Sequence, residues 1–341
     1  MYEIDSLLDA SRTHKSTPSH ETLQTAAEWF ALLRLGNATE QECAEWNVWL
    51  DQCSEHREAW HYVEIISQRF DSVQSGPDRQ AAASAFQKVR AKRVTRRQAL
   101  GSLAGLAGGG LLAWLGWRHT PLPGRAMAWS ADYRTATGEI RDFTLADSTH
   151  IGLNTASAVN ASIQADVRRL HLIAGEVLIR TASDPHRAFV VDTHEGSMQA
   201  LGTRFTVRQE ENATFLAVYE GAVKIRLADT GEGRVVEVGH QVTFTRDTIS
   251  APVPADRSRE VWANGILLAE DISLAELVRE LARYRSGHLG VAPEVAELRV
   301  LGGYPLHDPD KVLAMLEAVL PITVRRTLPW WVTIEAETPG S

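Results

Sequence analysis

The sequence predicts a multidomain protein: a small all-α domain, one transmembrane helix, an all-β domain of solenoid or sandwich character, and an α+β C-terminal domain. Three observations lead there. Residues 98–117, QALGSLAGLAGGGLLAWLGW, form a run of twenty without a charge. Upstream of that run apolar residues recur at helical spacing, and downstream they alternate at strand spacing. Near the C-terminus, strand and helix patterns interleave. The boundaries that follow are a helical domain at 1–78, a basic linker at 79–97, the spanning helix at 98–117, a β domain at 125–250 and a mixed domain at 260–341.

A chain of 341 residues exceeds what one simple core holds. Its net charge of -8 argues against direct nucleic-acid binding, which calls for a basic surface. The charge reverses locally: between Arg79 and Arg97 there are seven Lys or Arg residues and no acid. The only cysteines are Cys43 and Cys53, so no disulfide is available to anything downstream. No CxxC occurs, and the closest histidines, His56 and His61, are off the spacing that one helical face would offer a metal. Neither a metal nor a cofactor is expected.

At 1.5 Å per residue the run 98–117 reaches about 30 Å, the thickness of a bilayer's hydrocarbon core. Trp114 and Trp117 stand at one end, where indoles favour the headgroup boundary. A cleaved signal peptide does not fit, because a helical domain precedes the run. A buried core helix would carry six glycines, each costing about 1 kcal/mol relative to alanine. A phosphate-binding loop would need a Lys-Ser/Thr ending, which is absent. Positive charge before the run places 1–97 in the cytoplasm and 118–341 in the periplasm of a bacterium. Thr95-Arg96-Arg97-Gln98-Ala99-Leu100 reads equally as a twin-arginine export signal or as a plain positive flank, so Arg96 and Arg97 are the topology candidates. Gly101-xxx-Gly105 and Gly105-xxx-Gly109 allow a packing face, although chance produces such spacings in so glycine-rich a run.

Residues 22–35 place Ala26, Trp29, Phe30 and Leu33 on one helical stripe, which Gly36-Asn37 ends. Thr39 and Glu42 are spaced as a capping box for a second helix through Gln52, with Trp46, Trp49 and Leu50 on one side. A third helix from Ser54 brings Ala59, Trp60, Val63 and Ile66. Four tryptophans exceed what so small a core requires, so part of this set is expected to face a partner, with Trp49 and Trp60 the better core candidates.

Past Gly124 short strands follow one another: Phe143 to Leu145, Ile151 to Leu153 after a turn at Asp147-Ser148, then strands around Leu170, Val177, Phe189, Phe205, Phe215, Val223, Val235 and Val242. Gly175, Gly202, Gly221 and Gly239 punctuate them. Glu176, Asp192 and Glu220 read as turn or cap residues, not as an acid–base set, and no nucleophile–base pair marks the chain as an enzyme. In the C-terminal piece a strand at 265–268 leads to a helix at 274–285 capped by Ser273 and Glu276, with Leu274, Leu277, Val278 and Leu281 buried. A strand at Val300-Leu301, a helix from Asp308 burying Val312, Leu313, Leu316 and Val319, and a hairpin of 322–324 with 331–334 complete it.

These segments resemble the FecR family of membrane-spanning regulators. Ala26, Ala27 and Trp29, then Trp49-Leu50, then His56, Ala59 and Trp60 match the AAxW, WL and HxxAW of its N-terminal helical domain. The strand–turn–strand at 138–159 matches the family's opening, with Ser148 where glycine is usual. Leu201, Gly202, Thr203 and Phe205 match its Leu-Gly-Thr-x-Phe, and Glu220, Gly221 and Val223 its Glu-Gly-x-Val. The C-terminal piece looks like the small signalling domain shared by secretins and TonB-dependent receptors. The resemblance implies an anti-sigma factor in the inner membrane. Its cytoplasmic domain would hold an extracytoplasmic-function sigma factor through Trp29, Phe30, Leu33, Trp46, Trp49 and Trp60. Its periplasmic part would meet the signalling domain of an outer-membrane TonB-dependent receptor, with Trp330 and Trp331 as contact candidates, one of them core. Iron-siderophore or haem uptake, and release through an intramembrane protease, belong to the same expectation. A membrane-anchored periplasmic envelope-assembly or glycan-binding protein is the alternative, and it would not need the tryptophan-rich domain.

Overall fold

The computed structural model describes residues 18–34, 38–74, 131–164, 167–184, 186–200 and 202–337. The basic linker, the run 98–117, Arg96, Arg97, Gly36-Asn37 and Leu201 lie outside the described residues. Among the described residues no helix is long and apolar enough to cross a membrane.

Three helices come first: α1 (His20–Arg34), α2 (Glu40–Gln52) and α3 (Ser54–Gln74). Thr39 and Glu42 do form a reciprocal capping box. Strands follow as β1 (Tyr133–Arg134), β2 (Arg141–Thr144), β3 (His150–Leu153), β4 (Ala158–Ile163), β5 (Val167–Ala174), β6 (Glu176–Arg180) and β7 (Ala188–Asp192). They continue as β8 (Gly196–Ala200), β9 (Arg204–Gln209), β10 (Thr214–Glu220), β11 (Ala222–Leu227), β12 (Gly233–Glu237), β13 (His240–Phe244) and β14 (Val253–Pro254). After a 3₁₀ helix at Arg257–Asn264 come β15 (Ile266–Ser273), α4 (Leu274–Ala282), β16 (His288–Val291), β17 (Arg299–Pro305), α5 (Pro309–Val319), β18 (Ile322–Leu328) and β19 (Trp331–Ala336).

Two bodies result. One gathers the described residues up to 76 with 286–298 and 316–337; the other holds 131–285 and 299–315. In the second body β1-β4-β5-β7-β8-β11-β12 form one sheet and β14-β13-β10-β9-β6-β3-β2 another. All neighbours are antiparallel except β5 and β7. The inward residues of both sheets, among them Leu170, Phe189, Met198, Ile179, Phe205 and Leu216, make one core, so the β domain is a sandwich. At its centre the second sheet is buried on both faces. Six of the seven residues of β10 are buried, the outward Phe215, Ala217 and Tyr219 lying under cover with Leu178 and Ala255. β15 pairs antiparallel with β17 as a separate two-stranded sheet.

In the first body β16, β19 and β18 form a three-stranded sheet, with β16 parallel and β18 antiparallel to β19. Its core joins Leu23, Ala26, Ala27, Ala59, Val63 and Ile66 of the helices to Trp330 and Trp331.

Three local expectations need correction. Val319 was expected to face inward and is 73% exposed, because α5 ends there and only Val312, Leu313 and Leu316 lie on its covered face. The helix at 274–285 stops at Ala282, where Arg283 caps it and Tyr284 turns inward. β4, β8 and β16 have no pattern that announces them: β8 is GSMQA, and it is a strand because β7 and β11 pair with it on either side.

The turn at Asp147, between β2 and the buried β3, shows why a short polar cluster sits beneath the surface. The Asp147 carboxylate accepts from the Thr149 amide at 3.1 Å and hydroxyl at 2.8 Å, and from Arg168 Nη1 at 3.1 Å. Both charged side chains are almost fully buried. Burial works to raise the Asp147 pKa, but the hydrogen bonds from Thr149 and Arg168 outweigh it and hold the carboxyl below its usual range. Ser148 takes φ 69° in this turn, a left-handed conformation that costs a side chain about 1 kcal/mol or more. Ser148→Gly should therefore raise stability by about 0.5–1 kcal/mol once the greater freedom of unfolded glycine is deducted. Urea denaturation midpoints measure this, and an unchanged or lower midpoint would mean the turn carries no strain to relieve.

Candidate functional site

The helical module places its aromatic residues by a small set of local bonds. α2 ends at Cys53, whose extended backbone breaks the chain direction before α3. His56 holds that break: its Nδ1 lies 2.7 Å from the Trp49 carbonyl, and its ring stacks on Trp49 at 4.4 Å between centroids. The histidine of HxxAW thus clamps the end of α2 to the start of α3, with Ala59 buried one turn further on.

From this frame a connected series of rings runs across the module. Trp46 meets Trp60 at 4.9 Å, Trp60 meets Phe30 at 5.6 Å, and the Arg34 guanidinium lies 5.5 Å from the Phe30 centroid. Trp29, Phe30, Leu33, Trp46, Trp49 and Trp60 are all half-buried. None of them belongs to the fully buried set, which is built instead from small and aliphatic side chains. The indole N–H of Trp46 is buried without a hydrogen-bond partner. Trp330 and Trp331 are both buried, at 4% and 0% exposure, so neither presents a free surface. Their packing had no signal in the local sequence, because it depends on residues about three hundred positions away.

A second polar cluster, in the sandwich body, was not legible from sequence. Arg283, just past α4, donates from Nη2 to Glu176 at 2.7 Å and from Nη1 to Glu280 at 2.8 Å. Glu280 also accepts from Arg208 at 2.8 Å. Asn154 donates to Glu176 at 2.8 Å and accepts from the Tyr284 hydroxyl at 2.8 Å. Beside this cluster Trp262 covers Gly152; a Cβ there would stand 3.5 Å from the indole and 3.1 Å from Asp142. Residues 257–285 are thereby bonded to the outer face of the second sheet. Glu176 was expected to be an ordinary turn residue, and it is an anchor. Among the described residues no group of three or more His, Cys, Asp or Glu is arranged to hold a metal ion.

Residues 131–224 match the model of the family described as FecR protein. Residues 24–66 match a second, described as a domain of unknown function, DUF4880. Segment 131–224 is thus similar to FecR proteins. No curated protein matches it. Two crystal structures of a proposed anti-sigma factor from Parabacteroides distasonis are similar at 19% identity and a TM-score of 0.49, covering 60% of this chain and 98% or 99% of theirs.

The FecR match spans β1 into β11, and the second match spans most of α1 to α3. Two FecR motifs distant in sequence meet in space. Gly221 has φ 72°, and a Cβ on it would lie 2.4 Å from the Gly202 carbonyl oxygen. The Glu-Gly-x-Val turn therefore needs its glycine because the Leu-Gly-Thr-x-Phe turn passes against it. Phe205 fills the core with no exposure.

Burial works against ionisation of Glu280, but Arg208 and Arg283 more than offset it and bring its pKa from 4.5 to about 2. The resulting stabilisation is complete above the unfolded value near 4.5. It is lost as pH falls toward 2, because the unfolded chain takes up the proton first. The loss amounts to at most about 3 kcal/mol. Glu280→Gln should lower stability at neutral pH and flatten the acid-side decline, as read by chemical denaturation between about pH 5 and pH 2.5. An acid slope equal to that of the unsubstituted protein would show that the ion cluster adds nothing to folding.

Proposed function

We propose that this protein is a single-pass inner-membrane regulator that binds an extracytoplasmic-function sigma factor with its helical module. The observation that carries the reading is the half-exposed ring series of Phe30, Trp46 and Trp60 within the segment that matches the second family domain. Large aromatic side chains left half open on a small module are the anchors that helix-in-groove recognition uses. Trp29, Leu33 and Trp49 border the series. The uncharged run 98–117 supports the membrane anchor, and the basic residues before it, Arg96 and Arg97 included, support a cytoplasmic N-terminus.

On the periplasmic side the partner is the signalling domain of an outer-membrane TonB-dependent receptor, in the setting of iron-siderophore or haem uptake. The two-stranded β15–β17 sheet, with Leu301 77% exposed, offers edges that a partner's strand can extend. Trp330 and Trp331 serve that contact once they are uncovered. Regulated proteolysis then releases the cytoplasmic part, and the glycine-rich spanning run provides a helix weak enough to be cut.

The test is co-purification of the detergent-solubilised full chain with the extracytoplasmic-function sigma factor encoded nearest to it. Trp46→Ala should weaken the complex about tenfold or more while leaving the circular dichroism of the chain unchanged. Failure to retain any such sigma factor from the same cell would remove the regulatory reading.

A further inference from the structure

The first body contains a contact more specific than apolar burial alone. Gln24 of α1 is buried, and all of its amide capacity is used. Its Nε2 donates to Thr327 at 2.8 Å and to Glu28 at 3.2 Å. Its Oε1 accepts from Trp331 Nε1 and from the Thr333 hydroxyl, both at 3.3 Å. Around it, Trp330 and Trp331 pack against the small side chains of Ala26, Ala27 and Ala59. Phe30 meets Trp330 edge to face at 5.6 Å, and at the rim Glu28 pairs with Arg325 at 2.6 Å. A buried amide with four partners is a built interface, since each unmet group would cost about 1–3 kcal/mol.

In sequence, the uncharged run 98–117 lies between the two sides of this contact. Once that run spans a bilayer, about 30 Å of hydrocarbon separates them. Contact and insertion therefore exclude each other. We propose that the sheet of β16, β19 and β18 caps the helical module while residues 131–341 are still in the cytoplasm, and that membrane insertion uncaps both. The cap occupies the Phe30 end of the ring series, so that end is closed to a partner helix before insertion. Insertion opens that end on the cytoplasmic side and bares the Trp330–Trp331 pair on the periplasmic side. Two apolar surfaces destined for different compartments thus cover each other between the end of synthesis and insertion. The inference rests on the spanning reading of 98–117, and its test is built to tell the two apart.

The full chain, with Cys43→Ser and Cys53→Ser, would carry Glu28→Cys and Arg325→Cys at the exposed rim pair. It would be synthesised cell-free with and without inverted inner-membrane vesicles, then treated with a short bis-maleimide. Protection of 131–341 from added protease reports insertion in the same samples. The expected result is an intramolecular cross-link without membranes, falling in protected chains to the level of the single Glu28→Cys variant. No cross-link in either sample, with protection intact, overturns the proposal and leaves the spanning reading standing. A cross-link that persists with vesicles while 131–341 stays protease-sensitive overturns the spanning reading, and the proposal with it.

Discussion

The central strands of the sandwich's second sheet are dry on both sides, and most of what surrounds them answers to that constraint. The sheet's inner face shares the common core with the first sheet, while Phe215, Ala217 and Tyr219 point the other way. An outward apolar face of this size needs a cover, and residues 255–285 supply it. The cover meets polar groups as well as apolar ones. Glu176 sits at the start of β6 with 3% of its surface exposed, and a carboxylate so buried is costly unless it is paired. Arg283 meets it, Glu280 meets Arg283, and Arg208 closes the series from β9. Removing one member would strand the charge of its neighbour. Residues 257–285 accordingly belong to the β body and not to a separate C-terminal domain.

The helical module is organised by the opposite circumstance, a shortage of core. Only three helices build it, and its innermost residues include three alanines. Small side chains bring α1 and α3 close together and leave the bulky rings at the margin. The tryptophans therefore end up half-exposed, which is a consequence of packing before it is a feature of recognition. His56 spends both its ring face and a ring nitrogen on Trp49, fixing the break between α2 and α3 from which the ring series is presented.

Much of this was legible. The two capping boxes, the order of strands around Phe143, Val177, Phe205 and Val223, and the left-handed turns at Gly175, Gly202, Gly221 and Gly239 all follow from short-range chemistry, and all are present. β8 and β16 were not legible, because their strand character comes from the neighbours that pair with them. The depth of the tryptophans was misjudged for a related reason. Periodicity tells which side of a helix an indole occupies, but how far it is covered depends on what the rest of the chain brings to that side.

The sequence alone determined the division into a helical part, an uncharged run of membrane length and a strand-rich part, since each rests on local periodicity and charge. It also determined the turns, where a backbone conformation or a cap is decided within four residues. Tertiary structure alone decided the pairing of Arg283 with Glu176, the close passage of Gly202 and Gly221, and the seat of Trp330 and Trp331 over Ala26, Ala27 and Ala59. Each of these is a meeting of residues far apart in the chain, and no local energy term favours it until the folded chain brings the partners within reach.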